Sequence, residues 1–295
     1  MPADGKTLPE APLAGGRQGL LTATSPGTIT NILTIDVEDW YHCLDPDPAN
    51  WPRYERRVVP EVRTVLEVLE ETSTTATFFV LGHVARSQPA LIREIDDAGH
   101  EVASHGSEHR FIYRQSPSEF RTDVRSSVST LEDTLGRRVR GYRAPYFSIT
   151  AKSLWALDVL GSLGMEYDSS IFPVFNHRYG IPGAPRLPYR TPGGLVELPP
   201  ATFPLAKWNV PCGGGVYFRF LPFAVLRRLF RLLNHRREPV VFYLHPWELD
   251  PLQPRADVPP FLRLRHYHAL RGARAKFKRL LEAFRFSSIR EVLSL

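Results

Sequence analysis

The chain has 295 residues, 43% hydrophobic and 23% charged, the balance of a soluble folded protein and not of a disordered or membrane-spanning one. Its formal charge of +6 comes largely from arginines in the C-terminal quarter, and no zinc-finger or RNA-binding signature accompanies them, so nucleic acid is not expected as a partner. Cys43 and Cys212 stand far apart and outside any C-x-x-C spacing, which excludes a disulfide framework and a cysteine zinc site.

Residues 1–29 are rich in Pro, Gly, Ala and Thr without periodicity and read as a disordered leader. They show no signal-peptide pattern, and no run of apolar residues is long enough to span a bilayer, so a cytoplasmic protein is expected. Asn31 to Ile35 is a continuous apolar strand stopping at Asp36. An aromatic, Pro-containing loop leads to a helix after Pro60, with Val62, Val65, Leu66 and Leu69 at helical spacing. The strand Thr75–Leu81 follows, then a helix carrying Leu91, Ile92 and Ile95 that ends at Gly99. The strand Glu101–Ser104 precedes a helix from Ser116 to Leu135, with Ser116 as N-cap, Pro117 as first residue and Gly136 as stop.

Val139–Arg143 predicts a fourth strand, Thr150 to Leu163 a helix and Met165–Asp168 a fifth strand. The segment from there to Pro192 is too long for a plain connection and reads as a functional loop. A short strand, Leu195–Leu198, a helix from Pro222 to His235, the strand Val240–Leu244, a basic helix from about His268 to Phe284 and a terminal segment complete the chain. Alternating strands and helices imply parallel β-α units, and the lack of a Gly-rich nucleotide loop after the first strand favours a barrel over a nucleotide-binding sheet.

In such folds chemistry gathers at the carboxyl ends of the strands. Five ends carry suitable groups: Asp36, Glu38 and Asp39 after the first, His105 and His109 after the third, then Arg143, Asp168 and, late in the chain, His245. The spacing of His105 and His109 sets both imidazoles on one face of a helical turn, and two histidines with a carboxylate suit zinc or a similar divalent ion. A second carboxylate held by an arginine could accept a proton from water, and a facing histidine could protonate a leaving nitrogen. The set is that of a metal-assisted amide hydrolase. Trp40, Tyr41, Trp51, Tyr146, Trp208 and Trp247 adjoin these positions and offer faces on which sugars stack. Gly213 to Gly215 either brings backbone close to substrate or makes a tight turn.

The stretches Thr34–Asp39, Ser104–His109, Arg143–Tyr146, Tyr167–Ser170 and Leu244–Pro246 fall in the order of the motifs of polysaccharide deacetylases of the NodB-homology type, carbohydrate esterase family 4, which this sequence resembles. More narrowly, Asp36–His42, Arg178–Pro182, Pro211–Arg219 and His245–Asp250 resemble the subfamily found with exosortase A exopolysaccharide clusters.

The resemblance implies an α/β fold, a distorted (β/α) barrel of about seven strands, with 30–295 as one catalytic domain whose part from 195 to 295 completes the barrel. It implies removal of N-acetyl groups from amino sugars with Asp36 as base, His245 as acid, Arg143 orienting the base, the Tyr146 backbone N–H holding the oxyanion and Asp168 in support. His105 and His109 match metal ligands, with zinc favoured over cobalt or nickel. The family pairs two adjacent aspartates, whereas here the carboxylate ligand is Asp39 or Glu38, with Asp39 preferred. Trp40, Tyr41, Trp208 and Trp247 are the expected substrate-binding aromatics. The expected partner is an N-acetylated oligo- or polysaccharide; a lipid-linked precursor at the inner membrane face would reconcile such a substrate with a cytoplasmic enzyme, the basic helix near Arg271 to Arg279 touching anionic lipid. Another amide or cyclic-imide hydrolase, or a catalytically silent carbohydrate-binding protein, are the alternatives, and oligomeric state is left open.

Overall fold

The computed structural model describes residues 29–176 and 178–295, so the leader expected at 1–29 lies, but for its last residue, outside the described residues. In chain order the strands are β1 (Asn31–Val37), β2 (Thr77–Val80), β3 (Glu101–Ser104), β4 (Gly141–Tyr142), β5 (Tyr167–Asp168), β6 (Tyr189–Arg190), β7 (Val196–Glu197), β8 (Thr202–Leu205), β9 (Trp208–Pro211), β10 (Val241–Leu244) and β11 (Phe286–Ser287). The helices are α1 (Val58–Glu71), α2 (Gly82–Ser87), α3 (Pro89–Asp97), α4 (Pro117–Leu135), α5 (Trp155–Ser162), α6 (Gly215–Phe220), α7 (Phe223–His235), α8 (Pro260–Tyr267), α9 (Ala273–Ala283) and α10 (Ile289–Leu293).

Every residue of β1 is buried, as an apolar strand covered on both faces must be. Parallel pairing runs in the order β10-β1-β2-β3-β4-β5-β7, seven strands that curl into a half-barrel. The distortion expected of the barrel is an open seam: the sheet ends at β10 on one side and at antiparallel β6 on the other. β11 extends the sheet beside the first two residues of β1, and β8 and β9 form a separate hairpin.

The helices pack their apolar stripes on this sheet. Val62, Val65, Val68 and Leu69 of α1 are buried in the main core with Ile35, Val37 and Leu244 of the central strands. α4 starts with a reciprocal capping box between Ser116 and Glu119 and stops at left-handed Gly136, where the sequence places both ends. The expected basic helix begins later, at Ala273, and it is docked: Arg274 and Lys278 pair with Glu67 and Glu71 of α1, which removes two cations from any lipid-facing set.

Among the features not anticipated are the β8–β9 hairpin and the short helices α6 and α8. The Gly213–Gly215 run approaches backbone, not substrate. Gly214 forms a bridge to Tyr243 at φ 126, where a Cβ would lie 1.8 Å from the Tyr243 carbonyl oxygen. This close approach seats α6 against the last strong strand.

Candidate active site

Successive side chains of a strand point to opposite faces, so Asp36 and Glu38 share one side of the β1 end and Asp39 takes the other. The consequence is visible in the partners. Glu38 Oε2 lies 2.6 Å from His109 Nε2. Asp39 Oδ1 instead accepts the Arg57 backbone N–H at 3.0 Å, at the start of α1. Burial pushes the Asp39 carboxyl up to about 6, although the N–H groups of Arg57, Val58 and Trp40 work in the other direction. The preference for Asp39 as metal ligand is therefore corrected in favour of Glu38, which stands with His105 and His109 as a buried trio whose ligand atoms lie within 4.8 Å of one another.

The two histidines do not share a helical turn as their spacing suggested. Gly106 (φ 75) and His109 (φ 51) are both left-handed, and the Ser107 amide between them donates to Asp123 Oδ2 at 2.9 Å. This loop still brings the rings together, with centroids 5.4 Å apart. His105 Nδ1 donates to the Arg143 carbonyl at 2.9 Å, which fixes the tautomer and leaves the Nε2 lone pair free. Burial pulls His105 down to about 4, so the ring is neutral, as a ligand must be.

Asp36 lies against Arg143, whose Nη1 donates to Asp36 Oδ1 at 2.7 Å and to Thr34 Oγ1 at 2.8 Å. The other edge of the guanidinium is fixed by Ser169, through its carbonyl at 3.1 Å and its hydroxyl at 2.7 Å, and the group stacks 4.2 Å from the centre of the Phe79 ring. A fully buried arginine with this many partners can hold a carboxylate charged and in one orientation.

His245 ends β10, the neighbour of β1, with Nε2 3.6 Å from Glu38 Oε1 and 3.9 Å from Asp36 Oδ2. Its Nδ1 bonds Glu248 Oε1 at 2.7 Å, and Glu248 Oε2 accepts from Arg219 Nε at 2.6 Å. Burial opposes the charged imidazole, yet the Glu248 hydrogen bond and the charges of Glu38, Glu248 and Asp36 raise it to about 9. Burial also opposes the charged Glu248, but Arg219 and His245 hold that carboxylate down at about 2. The sequence reading missed Glu248 and Arg219 as site residues. The signal was present, an acid three residues beyond a strand-end histidine.

Tyr146 (φ 57) and Phe147 (φ 53) turn the chain through the left-handed region, a strain of ~1–3 kcal/mol for each aromatic residue. The Tyr146 hydroxyl is anchored on the His42 carbonyl at 2.9 Å. Asp168 acts from behind this turn: its Oδ1 accepts from Ser170 Oγ at 2.5 Å, and Ser170 Oγ accepts the Ala144 N–H at 2.8 Å. It touches none of the ligand atoms and positions the Arg143–Tyr146 segment. Asp168 faces Glu197 across β5 and β7, and burial pushes both carboxyls up.

Of the expected substrate-binding aromatics, only Trp247 lines the cleft; it stacks on His245 and donates from Nε1 to Glu38 Oε1 at 3.3 Å. Trp40 and Tyr41, like Trp51, are core residues, and Trp208 is 59% exposed on the β8–β9 hairpin, outside the cleft lining. The long loop expected to be functional does reach the site, contributing Arg178 and Tyr179 to the cleft wall.

The curled half-barrel carries a His-His-carboxylate trio at the strand ends, an arginine-held aspartate beside it and a histidine on the next strand. In sequence, residues 52–167 match the family model described as polysaccharide deacetylase. Residues 169–294, with Arg219, His245 and Glu248, match a domain model, DUF3473, described as of unknown function. A chitooligosaccharide deacetylase of Bradyrhizobium sp. (strain ANU 289) is 35% identical over 99 residues, 33% of this chain and 42% of its own. A peptidoglycan-N-acetylglucosamine deacetylase of Bacillus cereus is 25% identical over 145 residues, 45% of this chain and 52% of its own. The chain thus spans about half the length of these curated relatives. Among solved structures, a Mycobacterium smegmatis protein provisionally named a polysaccharide deacetylase has a TM-score of 0.59 at 22% identity, covering 93% of this chain and 94% of that one, a likeness of fold.

Proposed function

We propose that this protein is a metal-dependent hydrolase that removes N-acetyl groups from amino sugars of a bacterial exopolysaccharide or its precursor. The observation that carries the reading is the buried Glu38, His105 and His109 trio flanked on one side by Asp36 and on the other by His245. The trio fits a divalent ion. Glu38 Oε2 is buried without a hydrogen-bond partner although His109 Nε2 lies 2.6 Å away, the geometry of two ligands turned to a common point. Two imidazole nitrogens and one carboxylate oxygen are a donor set suited to zinc. Bound there, the ion would supply Lewis acidity, favouring ionisation of water and polarising the acetamide carbonyl.

The chain's own residues supply the rest. Asp36, held by Arg143, accepts the proton of the water that attacks the carbonyl carbon. The Tyr146 backbone N–H, set by its left-handed turn, is the donor to the developing oxyanion. As the C–N bond breaks, His245, positioned by Glu248, gives its Nε2 proton to the amine. The products are acetate and a free amino sugar. The saccharide substrate is supported by the names of the relatives, and the exopolysaccharide setting by the Arg178–Pro182, Pro211–Arg219 and His245–Asp250 stretches.

Acetate release from N-acetylglucosamine oligomers by chelator-stripped protein, resupplied with zinc or cobalt, tests the reading alongside His105→Ala. Metal-dependent release lost in the variant is expected. Binding of one metal equivalent with no release from any N-acetylated sugar would refute the deacetylase assignment; opening of a cyclic imide would then give the chemistry to another amide hydrolase, and saccharide binding without turnover to a binding protein.

A further inference from the structure

We propose that the cleft is built for an acidic saccharide, an N-acetylated amino sugar that carries a carboxylate or phosphate within reach of Arg178 and Arg265. This rests on the deacetylase reading above and names its substrate class. Of the carboxylates lining the cleft, Asp36 has Arg143 at 2.7 Å and Glu248 has Arg219 at 2.6 Å, while Glu38 faces His109 at 2.6 Å in the metal trio. Two more arginines line the same space. Arg178 and Arg265 are partly buried, and neither forms an ion pair with any carboxylate among the described residues.

The side chain of Arg178 and the backbone of Arg265 both make contacts that fix them. Arg178 lies 5.4 Å over the Phe111 ring and 5.5 Å from the ring of Tyr146, the residue whose turn faces the reacting carbonyl. Its loop is closed by Gly180 at φ 96, where a Cβ would meet the Val174 carbonyl oxygen at 2.3 Å, and by the Ile181 N–H on the Phe172 carbonyl at 2.9 Å. Arg265 belongs to α8, and its own carbonyl accepts from Arg219 Nη2 at 2.8 Å, which ties the helix to the residue bracing Glu248 and His245. The two guanidinium groups come from separate elements, and neither is needed to balance charge within the protein.

A neutral oligosaccharide gives such a pair no counter-charge, whereas a carboxylate or phosphate matches the guanidinium fork in two parallel hydrogen bonds. Partly buried arginines without an anion raise the potential of the cleft and so favour a negatively charged ligand. The acetamide to be cleaved then lies beside Asp36 and His245, and the anion on the same or an adjacent sugar faces the arginines.

Calorimetric affinities on the full chain, stripped of metal so that no turnover interferes, test this. The ligands are tetra-N-acetylchitotetraose, a tetrasaccharide alternating glucuronic acid with N-acetylglucosamine, and N-acetylglucosamine 1-phosphate set against N-acetylglucosamine. At least one anionic ligand is expected to bind about tenfold or more tighter than its neutral counterpart. Arg178→Gln and Arg265→Gln should each narrow that gap, and the double variant should close it, with unchanged thermal midpoints. A gain only for the uronic-acid ligand assigns the anion to a sugar carboxylate, and one only for the phosphate assigns it to a phosphate-linked precursor. Equal affinity for neutral and anionic ligands, or a gap that survives the double substitution, overturns the proposal. Acetate release by the zinc-reloaded protein is scored separately, so loss of charge preference and loss of the deacetylase reading give different results.

Discussion

Exchanging the two neighbouring acids, Glu38→Gln in one variant and Asp39→Asn in the other, separates metal ligation from structural support. Glu38 meets the histidines, so Glu38→Gln should weaken zinc binding by about 100-fold or more. Asp39 faces the start of α1 and should leave zinc affinity unchanged. Its carboxyl rises from the ordinary 3.8 to about 6 in the folded chain. The folded state therefore keeps a proton that the unfolded state has lost, and the associated stability is fully present below 3.8 and disappears as pH rises through about 6. Asp39 is almost wholly inaccessible to solvent, so the difference corresponds to ~3 kcal/mol without a screening discount. Urea unfolding of metal-stripped protein at a series of pH values should show this decline in the parent chain and a flatter curve in Asp39→Asn. A chelator competition gives the zinc affinities. Asp39→Asn losing as much zinc affinity as Glu38→Gln, or parallel stability curves across the interval, would refute the division of labour.

Further outcomes follow from the supporting residues. Glu248→Gln removes the charge beside His245, and the alkaline limb of the kcat/KM profile should move down by about one to two pH units, since a hydrogen bond to a charged group is worth ~1.5–3 kcal/mol; an unmoved limb would show that another group sets it. Gly214→Ala would drive a Cβ to 1.8 Å from the Tyr243 oxygen, and a loss of about 4 kcal/mol or more in urea unfolding is expected, which a variant with the parent midpoint would contradict. Trp208→Ala should leave KM for saccharide unchanged because the ring is 59% exposed on the hairpin, and a tenfold rise would return Trp208 to the binding site. Glu197→Gln should lessen the loss of stability at rising pH, because the amide stands in for the protonated member of its pair with Asp168; an unchanged pH dependence would mean that the pair carries no shared proton.

Where burial and periodicity agree, the sequence was a sufficient guide. β1, β3, α4 and β10 occupy nearly the residues their patterns predict, because apolar runs and caps are local signals. The preference for Asp39 over Glu38 overlooked the two-residue period of a strand, which places Glu38 on the face of Asp36. The loop from His105 to His109 was not, because a four-residue spacing meets the helical rule while Gly106 and His109 adopt left-handed angles fixed by the Asp123 contact. Trp40 and Tyr41 look alike as core residues and as sugar platforms until packing is known. Arg178 lay in a stretch marked by resemblance but gave no sign of its place in the cleft, and Arg265 gave none, because its place depends on a helix brought in from the far end of the chain.

The adjacency of β1 and β10 also sets a timetable for the enzyme's birth. Asp36 emerges about two hundred residues before His245, although the strands that bear them lie side by side. At ~5–20 residues per second, a growing chain would hold the complete metal trio and the base for ~7–27 s, from His109 to His245, before the acid could join them. A ribosome-bound fragment ending before β10 would thus be a chelator without turnover, and proteolysis between β9 and β10 would be expected to silence the site if β10 were lost, even with every metal ligand left in place.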